Sequence, residues 1–160
     1  MTRTGLGYDS HRFGPGTVIR LGGVDIPFDR SLVGHSDADA VAHAVTDAVL
    51  GAAGAGDIGT LFPDDDPQHR GRDSIQMLRT AVAVARERGW TVTHVDVTVI
   101  AERPKIGAYR EAMRRALGAA LGLDPQAVSV KGKTNEGMGW IGRGEGIACI
   151  AVATLDGPTG

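Results

Sequence analysis

Asp9 and His11 stand two residues apart at the end of a stretch, Thr4 to Asp9, that reads as a β-strand. Side chains at i and i+2 share one face of a strand, so this pair can converge on one cation. A lone Asp-x-His carries little weight. His43 adds to it from a helix expected over Ala38 to Leu50, where it stands beside the apolar stripe Val41, Ala44, Val45, Ala48 and Val49. Taken alone, His43 reads as a core histidine bonded to Asp39 or Asp47, four residues away on either side. With Asp9 and His11 it completes an Asp-His-His set. Three nitrogen and oxygen ligands with one open position describe a catalytic zinc site rather than a structural one. Asp37, Asp39 and Asp47 are the expected partners that orient the imidazole. His35 and Ser36 precede the same helix, where free backbone N–H groups favour an anion.

A second unusual stretch runs from Lys131 to Gly146 and combines glycines, two lysines, an arginine and two carboxylates. Backbone amides with Lys, Thr and Arg suit phosphate groups, and Glu136 suits a hard cation such as magnesium or manganese. The G-x-x-x-x-G-K-[S/T] string of a nucleotide-binding P-loop is missing. Asp64, Asp65 and Asp66 form the longest charge run, which reads equally well as a solvated loop.

The elements that must position these residues alternate between strand and helix. Val18 to Leu21 and Val24 to Pro27 flank Gly22-Gly23 as a hairpin. Ser36 or Asp37 is the expected cap of the first helix, and Gly51 its stop. Gly54 to Pro67 reads as a loop. A second helix is expected from Asp73, in a capping box with Gln76, to Arg88, and a third from Tyr109 to Leu121. Val92 to Ile100 alternates as a strand, with Val95, Val97 and Val99 on one face. Val128 to Lys131 is a short strand. The last strand, Gly146 to Leu155, is apolar on consecutive positions, so both its faces must be covered. The expected fold is α/β (α+β): a single layered domain over residues 1–160, with a mixed β-sheet covered by helices on one face and subunits packed through the sheets.

Composition narrows the function. The chain has 160 residues, 24 of them glycine, with 4% aromatics, which suggests tight turns and close approach of elements. The net charge of −2, without a basic run, argues against a nucleic-acid partner. The one cysteine, Cys149, lies in an apolar strand and reads as a small buried hydrophobe in a reducing compartment. No apolar run approaches a membrane span, and Met1 to Gly7 is too short and polar for a secretory signal. A cytoplasmic location is expected.

Four motifs resemble one family in order along the chain. Gly7-Tyr8-Asp9-Ser10-His11 resembles its opening G-x-D-x-H, and Ser36 to Ala48 its S-D-x-D-x-x-x-H-A-x-x-D-A stretch. Asp57-Ile58-Gly59 with Leu61-Phe62-Pro63-Asp64 resembles its D-I-G-x-x-F-P-D loop, and Gly142 to Ala148 its G-R-G-E-G-I-A. The family is the 2-C-methyl-D-erythritol 2,4-cyclodiphosphate synthases. The resemblance implies that Asp9, His11 and His43 hold zinc and that Glu136 holds a second divalent cation, magnesium or manganese. It implies that His35 and Thr134 stabilise the transition state. Ser36, Asp57, Ile58 and Gly59, with Phe62, Pro63, Asp64, Asp65 and Asp66, match substrate-binding positions. Ala101, Pro104, Lys105, Ile106 and Gly107 match the cytidine and phosphate pocket, together with Lys133 and Asn135. Lys133 stands where members carry Thr or Lys. Trp140 and Arg143 match further substrate contacts.

The resemblance further implies the reaction. A 4-diphosphocytidyl-2-C-methyl-D-erythritol 2-phosphate closes to the cyclic diphosphate and releases CMP. It implies homotrimers with active sites at subunit interfaces and a cavity along the trimer axis; Arg143 and Trp140 are expected to face that cavity, where an isoprenoid diphosphate could sit with its anion on Arg143. A fused cytidylyltransferase domain, carried by some relatives, is not expected within these 160 residues. Two other readings fit the ligand set: another zinc-dependent phosphohydrolase, and a trimeric binding protein with incidental histidines.

Overall fold

The computed structural model describes residues 1–158. Its centre is a five-stranded mixed sheet in the order β4-β1-β7-β5-β6. These strands span Thr2–Gly14 (β1), Ser31–Leu32 (β4), Thr91–Ile100 (β5), Val128–Lys133 (β6) and Gly146–Asp156 (β7). β5 and β6 are parallel and the other pairs antiparallel. Val18–Leu21 (β2) and Val24–Pro27 (β3) form the separate hairpin expected around Gly22-Gly23. The helices are α1 (Ala40–Ala53), α2 (Ile58–Leu61), α3 (Ser74–Glu87), α4 (Arg110–Leu121) and α5 (Gly139–Gly142).

One face of the sheet forms the core. Val95, Val97 and Val99 of β5 align with Ala153, Ala151 and Cys149 of β7, which align in turn with Gly5, Gly7 and Asp9 of β1. These positions face α1, and α4 packs against β6. The opposite face presents Leu6, Tyr8 and Ile150, at 67%, 52% and 37% exposure. The last strand is therefore buried on both sides only near its start. Cys149 is buried on the helix side, and burial pushes its thiol pKa up, reinforced by the Asp39 and Asp9 carboxylates. Cys149→Ser should retain turnover, losing at most stability. A folded but inactive variant would reveal thiol chemistry.

Glycine places α1. A Cβ on Gly7 would lie 1.8 Å from the Ala44 carbonyl oxygen, and one on Gly5 would lie 2.0 Å from that of Ala48. Only glycine allows the helix backbone to rest on the strand backbone. Gly7→Ala should therefore destabilise the protein by about 3 kcal/mol, the upper range for overpacking, because backbone must move rather than a side chain. Urea melts of the variant would measure this. A loss below about 0.5 kcal/mol, the level of an ordinary surface change, would show that α1 can lift freely.

Several local expectations are corrected. α1 starts at Ala40, not Ala38, and its cap is Asp39 rather than Ser36 or Asp37. The Asp39 carboxylate accepts from the Ala42 N–H at 2.9 Å and from Gly22 and Gly23 N–H at 2.8 and 2.7 Å. A fully buried carboxylate needs such donors, and here they also tie the hairpin to the helix. Gly51 lies inside α1, which the buried Ala52 and Ala53 carry on to a left-handed Gly54 (φ 64°). The loop from Gly54 contains α2 and a 3₁₀ turn at Pro67–His69. Asp73 caps α3 by accepting from Ile75 N–H, and Gly122 ends α4 in a left-handed conformation. β4 and α5 are too short to leave a periodic signal.

Candidate active site

Asp9, His11 and His43 do converge. Asp9 Oδ2 lies 2.8 Å from His11 Nε2 and 3.0 Å from His43 Nδ1. One ligand atom from each residue lies within 4.8 Å of the others. The strand alternation aims Asp9 and His11 at α1, and the Gly7 contact brings His43 down to them. His11 Nδ1–H donates to the Val33 carbonyl at 2.9 Å, which leaves Nε2 for a ligand. A carboxylate oxygen and two imidazole nitrogens around one point suit a divalent transition metal.

The electrostatics are consistent. Burial works to raise the Asp9 carboxyl, but hydrogen bonds and charge from both imidazoles outweigh it and hold its pKa at about 2. Burial alone would lower His11, yet the Asp9 carboxylate and the Val33 carbonyl raise it above its ordinary value.

The expected outer partners are different. Asp39 is committed to its three backbone donors. Asp47 accepts from Ile58 N–H at 2.7 Å, linking α1 to α2 instead of orienting His43. Burial raises the Asp47 carboxyl. Asp37 reaches His43 only through Ser74. The anion site expected at the start of α1 is likewise filled by the protein's own Asp39 carboxylate.

His35, Ser36, Ile58, Gly59, Phe62 and Asp64 line one cavity with the Asp-His-His set. Asp57 caps α2, accepting from Thr60 N–H at 2.7 Å and from its hydroxyl at 2.8 Å, contacts that lower its pKa. Asp65 and Asp66 line a smaller adjoining hollow, with His35 on its other side. Pro63 lines neither.

A second cavity, about 270 Å³, lies between β5, β6 and the start of α4. Ala101, Pro104, Lys105, Ile106, Gly107, Lys133 and Thr134 line it. It shares no residue with the first. Glu136 is exposed beside it in the left-handed region (φ 52°), and its N–H faces Thr134 Oγ1 at 3.3 Å. Asn135 is used in the turn: its side chain donates to the Met138 carbonyl. Trp140 and Arg143 line neither cavity. Trp140 borders a hollow with His11 and Arg30, and Arg143, paired to Glu145 at 2.5 Å, borders another with Arg30 and Arg103.

Comparison with known proteins decides the family. The model of the YgbB family matches residues 2–156. This chain belongs to the YgbB family. A relative from Gemmatimonas aurantiaca, a 2-C-methyl-D-erythritol 2,4-cyclodiphosphate synthase, is 59% identical over 97% of this chain and 93% of its own. A bifunctional IspD/IspF enzyme from Dinoroseobacter shibae is 56% identical over 96% of this chain, which spans only 38% of that protein. Among solved structures, bifunctional IspDF from Campylobacter jejuni superposes with a TM-score of 0.95 at 39% identity, over 99% of this chain and 43% of that one. The CDP complex of Plasmodium falciparum IspF superposes at 0.86 and 35%, over 99% and 97%.

In this YgbB family chain, five side chains at or behind the cavities went unread in the sequence. Ser74 and Glu102 are fixed by hydrogen bonds; Glu102 Oε1 accepts from Asn135 and Gly137 N–H, each at 3.0 Å, and so shapes the turn around Glu136. His69 and Met77 line the first cavity and Arg110 the second. His69 packs edge-on against Phe62, and Arg72 covers that ring at 4.8 Å. A solitary polar residue in a loop or at a helix start carries no periodic signal. Only the cation count near Lys105 could have pointed to Arg110.

Proposed function

We propose that this chain converts 4-diphosphocytidyl-2-C-methyl-D-erythritol 2-phosphate to 2-C-methyl-D-erythritol 2,4-cyclodiphosphate, releasing CMP, in non-mevalonate isoprenoid precursor synthesis. The observation that carries this reading is the Asp9-His11-His43 convergence in a cavity with His35 and Ser36, in a chain of this family.

An oxygen of the substrate's 2-phosphate attacks the β-phosphorus. The bond from that phosphorus to the oxygen bridging the α-phosphate breaks, and its electron pair leaves with CMP. The nucleophile is already an anionic oxygen, so no general base is required. The obstacle is repulsion between phosphates brought into line. Zinc on Asp9, His11 and His43, with magnesium or manganese at Glu136, supplies Lewis-acid stabilisation of the phosphate oxygens when bound. His35 and the Thr134 hydroxyl donate to the phosphates as charge shifts. Lys105 and Lys133 hold the nucleotide phosphates, and Ala101, Pro104, Ile106 and Gly107 enclose the cytidine. Asp57 to Gly59 and Phe62 to Asp66 bind the erythritol part and hold the chain bent, so that proximity does much of the work.

The reading extends to a homotrimer through the exposed apolar sheet face, with each site shared by two subunits. Two cavities without a common residue favour it. Arg143, Arg30 and Arg103 would receive an isoprenoid diphosphate near the trimer axis. Residues 1–160 act as one synthase domain. Among the described residues no helix is long and apolar enough to cross a membrane; with the single buried cysteine, the cytoplasm is the compartment proposed.

Incubation with the diphosphocytidyl substrate and magnesium tests the activity. CMP and the cyclic diphosphate, identified by mass spectrometry, are expected. Free phosphate or a linear ester would instead mark a zinc-dependent phosphohydrolase, and no product a binding protein.

A further inference from the structure

We infer that Ser74, backed by Asp37 and Arg20, is a positioning residue that holds the His43 imidazole in the one tautomer able to bind metal through Nδ1. The inference rests on reading Asp9, His11 and His43 as metal ligands.

His43 presents Nδ1 to Asp9 and Nε2 to the other side, where Ser74 Oγ lies at 2.7 Å and Ser36 Oγ at 3.0 Å. A neutral imidazole carries one N–H. Ligation through Nδ1 therefore demands the proton on Nε2, and an acceptor to receive it. Ser74 can be that acceptor only if its own hydroxyl proton is committed elsewhere. It is: Ser74 Oγ is in close contact with Asp37 Oδ1, and a carboxylate only accepts. The Ser74 N–H donates to the other carboxylate oxygen at 3.0 Å, and Arg20 Nε lies 3.4 Å from that same oxygen. The direction of the chain is thus set as His43 to Ser74 to Asp37.

Ser36 is not equivalent. It is only partly buried, lines the cavity, and has just Ser74 Oγ, at 3.5 Å, as a further hydroxyl neighbour. Ser74 is fully buried and does not line the cavity, so it acts through His43 rather than on substrate. It is the first residue of α3, held in place by the Asp73 cap. The metal centre is therefore braced from both helices: α1 carries the ligand and α3 fixes its proton. Loss of such an outer hydrogen bond typically costs about 10–100-fold in metal affinity.

The test uses the intact protein and zinc alone, in competition with a fluorescent chelator. Ser74→Ala removes one oxygen without opening a large cavity, and should weaken zinc affinity by about 10–100-fold with the thermal midpoint little changed. Asp37→Asn should weaken it as well. The double variant should lose no more than Ser74→Ala alone, because Asp37 acts through the same hydroxyl. In the zinc-loaded wild type the His43 Nε2–H should give a slowly exchanging NMR resonance that Ser74→Ala abolishes. A folded Ser74→Ala with zinc affinity within about twofold of wild type overturns the inference. Should Ser74→Ala fail to fold, Asp37→Asn with unchanged affinity does the same. His43→Ala separates the two levels: if that variant keeps its zinc, the ligand set itself is wrong, whereas zinc loss there with retention in Ser74→Ala sinks the positioning role alone.

Discussion

His11→Ala and Glu136→Ala should each lose turnover by about a hundredfold or more, since each removes a proposed cation ligand and such cations supply several kcal/mol of charge stabilisation. Co-refolded, the two dead proteins should regain activity. His11 lines the first cavity, proposed to hold the metal, and Glu136 stands two residues from Thr134 of the second, proposed to hold the nucleotide; the two have no residue in common. If each active site joins the first half of one subunit to the second half of its neighbour, a cyclic trimer repeats that contact around its axis. In mixed trimers some contacts then pair the intact metal half of a Glu136→Ala chain with the intact nucleotide half of a His11→Ala chain. Random equal mixing makes about one interface in four intact, one half for each side of the contact. Simple mixing without subunit exchange should restore nothing. Trimers shown to be mixed by native mass spectrometry, yet inactive, would mean that both halves serve within one subunit.

His43→Ala should abolish zinc retention and leave the fold in place. The side chain is one of the three proposed protein ligands, so the remaining Asp9 and His11 would form an incomplete set. Zinc after dialysis should fall below about a tenth of the wild-type content. The fold should survive because α1 is fixed elsewhere: by the Asp39 cap, by its buried stripe and by the contacts over Gly5 and Gly7. Metal analysis beside circular dichroism reads both outcomes. Full zinc occupancy in a folded variant would remove His43 from the ligand set.

Much of this arrangement was legible beforehand because it follows periodic rules. The i, i+2 spacing of Asp9 and His11 and the apolar stripe of α1 each constrain direction, so the convergence of Asp9, His11 and His43 follows from pattern. The alternation of Val95, Val97 and Val99 gave the core face in the same way. What escaped was set by tertiary contacts. Asp39 and Asp47 have equal claims on His43 by spacing, and Asp37 lies close before them, yet their partners lie in β2–β3, α2 and α3, which spacing cannot see. Ser74 is an ordinary residue at a helix start until folding brings it against His43 across 31 positions. Glu102 is similar, since its role is to hold backbone N–H groups on another segment. The separation of the two cavities also lies outside the reach of pattern.

The glycine contact between β1 and α1 has a mechanical consequence. Side chains between packed elements act as soft springs, because rotamer changes let one element slide over another. Gly5 and Gly7 remove that layer, so the helix meets the strand backbone to backbone and its compliance is low. The backbone that carries His43 cannot travel relative to Asp9 and His11 without lifting α1 from the sheet. Backbone adjustment on filling the cavity is then expected chiefly in the opposite wall. That wall is the segment from Gly54 to Asp73, where Asp64, Asp65, Pro67 and Gln68 are exposed and little packed. The ligand frame is the anvil of this site, and the Asp-rich segment facing it is the part that yields.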